Sequence, residues 1–125
     1  MRPAYSKEVP EIKSESYSTR VPLELLCLAL LKEKDMYGYE ITLEINRRSN
    51  NLLSVNVTSV YLKLHNLAEI GYLSITYSKT SGPRGRQRAY YHFEDAAQPY
   101  YERLLDEYRR TTQGVAQFFE NSLSE

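Results

Sequence analysis

YLSITYSKTSGPRGRQRAYYHF, residues 72–93, joins two β-prone runs through a loop of glycine, proline and cations. The first run, Tyr72 to Ser78, alternates Leu73, Ile75 and Tyr77 with Ser74, Thr76 and Ser78, and the second, Arg88 to Phe93, is rich in aromatic residues. Between them stand Lys79, Arg84, Arg86 and Arg88 beside Gly82, Pro83 and Gly85, with no acid to offset the charge. A hairpin tip of this composition is suited to a polyanion. The plainer alternative is a solvated loop tip.

Outward from this hairpin, the charge of the chain is unevenly distributed. The 16 basic and 16 acidic residues cancel over the 125 positions. Residues 45–92, however, carry seven cations (Arg47, Arg48, Lys63, Lys79, Arg84, Arg86, Arg88) against Glu69 alone, a net +6. Residues 94–125 carry three cations against seven acids, a net −4. Such a split points to one half facing nucleic acid and one half solvated or self-associating.

The length fits one domain. Cys27 is alone in the chain and lies in the apolar run Leu25 to Leu31, so no internal disulfide forms, and a buried, inert thiol in a reducing compartment is expected. That run is too short to cross a bilayer, and residues 1–20 lack the apolar core of an export signal. A cytoplasmic, nucleoid-associated protein is the expectation.

Residues 1–20 are polar, contain Pro3 and Pro10, and show no period; they are read as a flexible arm. Residues 21–94 form the expected DNA-binding domain and residues 95–125 a C-terminal dimerisation helix. Pro22 opens a first helix through Leu23, Leu26, Leu30 and Leu31 to about Lys34. Asp35 is expected to cap a second, about Met36 to Arg47, with Tyr37, Ile41 and Ile45 on its apolar side. Asn56 is placed to cap a third, which buries Val57, Val60, Tyr61, Leu64, Leu67 and Ala68 and stops at Gly71. At about 100° per residue, Ser59, Leu62 and Asn66 face the other way, flanked by Thr58, Lys63 and His65. Three helices followed by a basic hairpin is the order of a winged helix-turn-helix, an α+β and mostly α fold. In that architecture the third helix enters the major groove.

Tyr37-Gly38-Tyr39-Glu40-Ile41 resembles the aromatic-Gly-Tyr-Glu-Ile signature of PadR-type transcriptional regulators. Tyr61, Leu64, Leu67 and Gly71 fall at that family's recognition-helix spacing, and Gly85-Arg86, Arg88 and Tyr90-Tyr91 are similar to its wing. The likeness covers about residues 22–100. The chain departs from it at Thr58, where the family often has glycine, at Leu62, where it often has proline, and at Glu94 and Ala97. The resemblance implies a homodimeric DNA-binding regulator, usually a repressor, dimerising through its C-terminal helix. The compact plan with one such helix is similar to a clock-modifying branch of the family.

The residues speak to dimerisation independently. From Ala97, Tyr101, Leu104, Tyr108, Thr111, Val115 and Phe118 recur at steps of four and three, a heptad-like seam. A helix of this length overhangs so small a core, although packing on its own domain is the competing reading. A two-fold pair would present its third helices to successive major grooves, hence a pseudo-palindromic site.

The candidate DNA contacts are therefore Thr58, Ser59, Tyr61, Lys63, His65, Asn66, Lys79, Arg84, Arg86 and Arg88. Ser59, Lys63 and Asn66 also fit an ordinary exposed helix face, and His65 a plain surface histidine. Tyr61 sits at the edge of the buried stripe and fits the core equally well; the resemblance implies that its hydroxyl reaches a phosphate. Tyr37 and Tyr39 are read as packing residues of the second helix, although a tyrosine at a helix start also fits a backbone-phosphate contact. Tyr90, Tyr91, Tyr100, Tyr101 and Tyr108 fit strand and seam packing, or a pocket for a small aromatic effector.

Enzymatic chemistry has no foothold. His65 and His92 lack metal-ligand spacing, no nucleophile motif is present, and Gly82 to Arg88 lacks the Gly-Lys-Ser/Thr ending of a P-loop. Neither cofactor nor metal is expected. The rival class is a winged helix serving as a protein-interaction module, since the third helix carries Lys63 as its one permanent cation.

Overall fold

The computed structural model describes residues 21–78 and 87–123. Its elements run α1 (Leu23–Glu33), β1 (Met36–Tyr37), α2 (Gly38–Arg48), α3 (Val57–Ile70), β2 (Leu73–Tyr77), β3 (Ala89–Phe93), a 3-10 turn (Asp95–Ala97) and α4 (Gln98–Leu123). β3 lies centrally in a three-stranded antiparallel sheet, between β1 and β2. This is the winged helix-turn-helix expected from the element order, with the long terminal helix appended.

The helix boundaries follow local chemistry. Asn56 caps α3, its side-chain oxygen accepting from the Ser59 amide at 2.8 Å. Gly71 ends the helix in the left-handed conformation, φ 101°, a region that favours glycine. The loop before α3 is pinned by Asn46, whose carboxamide accepts from the Val55 amide (2.8 Å) and donates to the Val55 carbonyl (3.0 Å). Within it Asn50 and Asn51 take positive φ, which asparagine tolerates well.

The second helix begins later than expected. Asp35 does not cap it, and Met36 and Tyr37 are not its first turn. They form β1, with Met36 opposite Tyr91 and Tyr37 opposite Tyr90. Pairing to β3 and complete burial of Met36 outweigh the helical period, and α2 starts at Gly38. Asp35 instead meets His92 Nδ1 at 2.8 Å, tying the turn before β1 to the middle of β3. Tyr39, expected to pack, is exposed. Along β2 Leu73 is buried, whereas Ile75 and Tyr77 are exposed, because the hairpin projects past the core.

The core gathers Leu28 of α1, Met36 of β1, Ile41 of α2, and Val60, Leu64 and Leu67 of α3. Each such burial is worth about 1.5–3 kcal/mol relative to exposure. Cys27 lies fully buried among them, and burial pushes its thiol up to about 12, which keeps it inert as expected. Outside the core, Arg48 makes two parallel bonds to Glu33 at 2.9 Å and a third to Glu44 at 2.9 Å, bridging α1 and α2. Arg47 also holds Glu44, at 2.7 Å. The Arg47 and Arg48 bonds hold the Glu44 carboxyl down at about 2. Two cations of the basic middle are thus neutralised by acids from outside that window.

The hydrogen bond to Asp35 raises His92 above its ordinary value of 6.5. A raised histidine stabilises the fold fully below its unfolded pKa, and that contribution is lost as pH rises through the folded pKa. Urea denaturation of wild type and His92→Asn should therefore differ most near pH ~6 and converge toward pH ~9.

Candidate nucleic-acid interface

Burial of Val60, Leu64 and Leu67 fixes the rotation of α3. The opposite face then presents Thr58, Leu62, His65 and Asn66, all exposed. His65 pairs with Glu69 one turn along, at 3.3 Å. Ser59 and Lys63 lie on one flank and are half-buried. Lys63 lines a groove of about 540 Å³ shared with Val21 to Leu25 and with Leu104, Glu107, Tyr108, Thr111 and Thr112 of α4. Of the α3 candidates, then, the structure brings Thr58, His65 and Asn66 onto one outward surface and puts Ser59 and Lys63 at its margin.

Tyr61 occupies the other flank, 43% exposed, and its ring lies against Gly38 at the start of α2. A Cβ on Gly38 would sit 2.3 Å from the Tyr61 ring. A side chain at position 38 therefore fits only if the Tyr61 ring moves aside. The ring is neither wholly core nor free: its inner edge packs on α2 while its remainder faces solvent beside the outward face of α3.

Tyr37, immediately before Gly38, supports the base of the hairpin. The Arg88 guanidinium stacks over the Tyr37 ring at 4.5 Å, and Tyr90 meets Tyr37 edge-on with centroids 5.4 Å apart. The stack holds the exposed Arg88 above β1. Ser78 and Arg88 close the hairpin, the Ser78 amide donating to the Arg88 carbonyl at 2.9 Å. Lys79, Arg84 and Arg86 lie outside the described residues.

α4 begins on the core and leaves it. Tyr100 stacks on Tyr72 (4.8 Å) and donates to Glu24 of α1; burial and that bond push its hydroxyl up to about 12. Tyr101 packs edge-on to Phe93 at 6.1 Å, with Lys32 over both rings and bonded to Gln98 at 2.7 Å. From Asp106 to Ser122 every residue is exposed, including Tyr108, Val115 and Phe118 of the expected seam, and also Phe119. Among the described residues no group of His, Cys, Asp and Glu could hold a metal ion, and no helix is long and apolar enough to cross a membrane.

Residues 27–103 match the PadR-like family of transcriptional regulators, and the chain belongs to that family. A transcriptional regulator from Clostridium thermocellum is 28% identical, with a TM-score of 0.69 over 80% of this chain and 92% of its own. A PadR family regulator from Clostridium difficile is 25% identical, with a TM-score of 0.61 over 78% of this chain and 97% of its own. The PadR of Bacillus subtilis, solved with operator DNA, shares the fold at 20% identity and a TM-score of 0.59, over 66% of this chain and 46% of its own.

Three features escape sequence reading. β1 is two residues long and gives no periodic signal, the Arg48 bridge joins residues 15 apart, and the Gly38–Tyr61 contact joins two helices. The Gly38–Tyr61 contact carries a prediction. Gly38→Ala should displace the Tyr61 ring, and because that ring is a movable side-chain end, thermal stability should fall only modestly. Tyr61 fluorescence and solvent accessibility, measured with Tyr61 as the probe against a Tyr61→Phe control, should change more than the melting temperature does.

Proposed function

We propose that this chain is a duplex-DNA-binding regulator, acting as a repressor, that binds a pseudo-palindromic site as a homodimer. The observation that carries this reading is the polar outward face of α3, held opposite the buried stripe and next to a hairpin rich in arginine. Thr58, His65 and Asn66 supply groups for base edges, Tyr61 and Ser59 groups for the phosphates at the margins, and Lys79, Arg84, Arg86 and Arg88 the cations of the wing. Lys63, at the groove margin, is assigned to a phosphate rather than a base. The operator complex of the Bacillus subtilis protein supports the choice of partner. Repression follows from occupancy of a promoter by such a dimer.

The homodimer is supported by the exposed half of α4. Its 26 residues extend about 39 Å, and Tyr108, Val115 and Phe118 face solvent at seam spacing. Apolar side chains so arranged associate as paired helices. We assign residues 21–94 to DNA binding and 95–125 to dimerisation on this basis. A small aromatic effector would enter the groove beside Lys63, since Tyr90, Tyr100 and Tyr101 are engaged in packing. That groove shares Leu104, Tyr108 and Thr111 with the seam, so such a ligand would act on the dimer. A clock-gene target has its support in the compact one-helix plan.

A protein-interaction module is the second reading, favoured by the single lysine of α3. Salt separates the two. Duplex binding by the wild type should weaken steeply with rising salt, with a log–log slope of about −0.9 per phosphate contacted. Arg86→Ala should reduce that slope by roughly 1 per wing engaged and weaken all sequences alike. Phe118→Asp should sediment as a monomer and bind duplex more weakly. Salt-independent binding, or an Arg86→Ala variant equal to wild type, would refute the wing mechanism.

A further inference from the structure

We infer that Leu62 reads a thymine methyl group, and that the base pairs met by α3 are mainly A·T. This rests on the duplex-binding reading above and deepens it by naming the kind of half-site. Leu62 is 60% exposed and stands at the centre of the outward face of α3. Its neighbours on that face one turn away in each direction are Thr58 and Asn66, both exposed and uncharged. Lys63 is the one lysine or arginine of α3, and it is half-buried on the groove flank. No permanent cation therefore stands at the centre of this face.

The major groove gives each of these facts a consequence. Guanine offers two acceptors, O6 and N7, and is matched by the paired donors of arginine or lysine. The central face of α3 has no such partner. Adenine offers the N6 donor and the N7 acceptor, which a carboxamide such as that of Asn66 satisfies with two bonds. Thymine adds a C5 methyl group, an apolar spot that exposed leucine can cover. Thr58, Leu62 and Asn66 are four residues apart along the helix. They span about 12 Å, or three to four base-pair steps.

Exposure of a leucine among hydrogen-bonding side chains also bears on the choice of occupant. An apolar docking site for a protein requires a contiguous patch, whereas Leu62 is bordered by Thr58, His65 and Asn66. Methyl groups and polar atoms alternate in the same way along the edge of A·T pairs. Thr58, Leu62 and Asn66 are complementary to that edge, while Glu69, the acid of the same face, is paired with His65 at 3.3 Å.

The test uses the full-length wild-type chain and a pool of random-sequence duplexes. After selection, each thymine of the recovered duplex is replaced singly by deoxyuridine, which removes the C5 methyl and nothing else. Wild type should lose about fourfold in affinity at one thymine of each half-site, the equivalent of one buried methyl. Leu62→Ala should bind the thymine duplex about fourfold more weakly and be indifferent to deoxyuridine at that position. A urea midpoint close to wild type checks that the exposed position leaves the fold intact. A flat deoxyuridine scan, G·C pairs at the α3 positions, or an undiminished methyl effect in Leu62→Ala would each overturn the inference while leaving duplex binding in place. A pool that yields no enrichment would instead remove the duplex-binding reading and this inference with it.

Discussion

The rotation of α3 about its own axis is the constraint from which the remaining features follow. Val60, Leu64 and Leu67 are completely buried against α1, α2 and the sheet, and three side chains at helical spacing allow one orientation only. Any other rotation would expose those groups and bury Asn66 or His65 without partners, at a cost of several kcal/mol. The polar face is therefore set by the core behind it. Thr58, Leu62, His65 and Asn66 are exposed on that face and lie outside the core.

Elements around α3 extend that constraint to the hairpin and to the terminal helix. Gly38 lets the Tyr61 ring lie against the start of α2, while Tyr37, the residue before it, carries Arg88. One short segment, β1 with the first residue of α2, thus touches both the flank of α3 and the base of the wing. On the other side, Tyr100 and Lys32 anchor the start of α4 to α1 and β3. The start of α4 is thus held on the core, and from Asp106 to Ser122 the helix extends from it exposed.

Much of this was legible in the chain, and the misses share a cause. The α3 period, the Asn56 cap, the Gly71 stop and the two hairpin strands are local signals, and each falls within a residue or two of its expected place. Met36 and Tyr37 depart from the helical expectation because strand pairing with Tyr91 and Tyr90 is a long-range interaction that no local period records. The basic surplus was likewise overstated, since Glu33 and Glu44 reach Arg48 and Arg47 from outside the counted window. At the site, Leu62 and Asn66 face outward as the helical period predicts, whereas Ser59, expected at the centre of that face, is half-buried at its margin, and the groove with α4 that takes up Lys63 leaves no local signal. Membership in the PadR-like family was visible in the Tyr37 to Ile41 signature and in the residues around Gly85.

The central claim is that the outward face of α3 and the arginine-rich hairpin together meet duplex DNA. Backbone amide chemical shifts of the isotopically labelled full-length protein, followed as a short duplex is added at low salt, test it directly. The account predicts that shifts concentrate at Thr58, Leu62 and Asn66 and across residues 79–88, with those of residues 108–118 nearly unchanged. Shifts centred on α4, or none at all at saturating duplex, would contradict it.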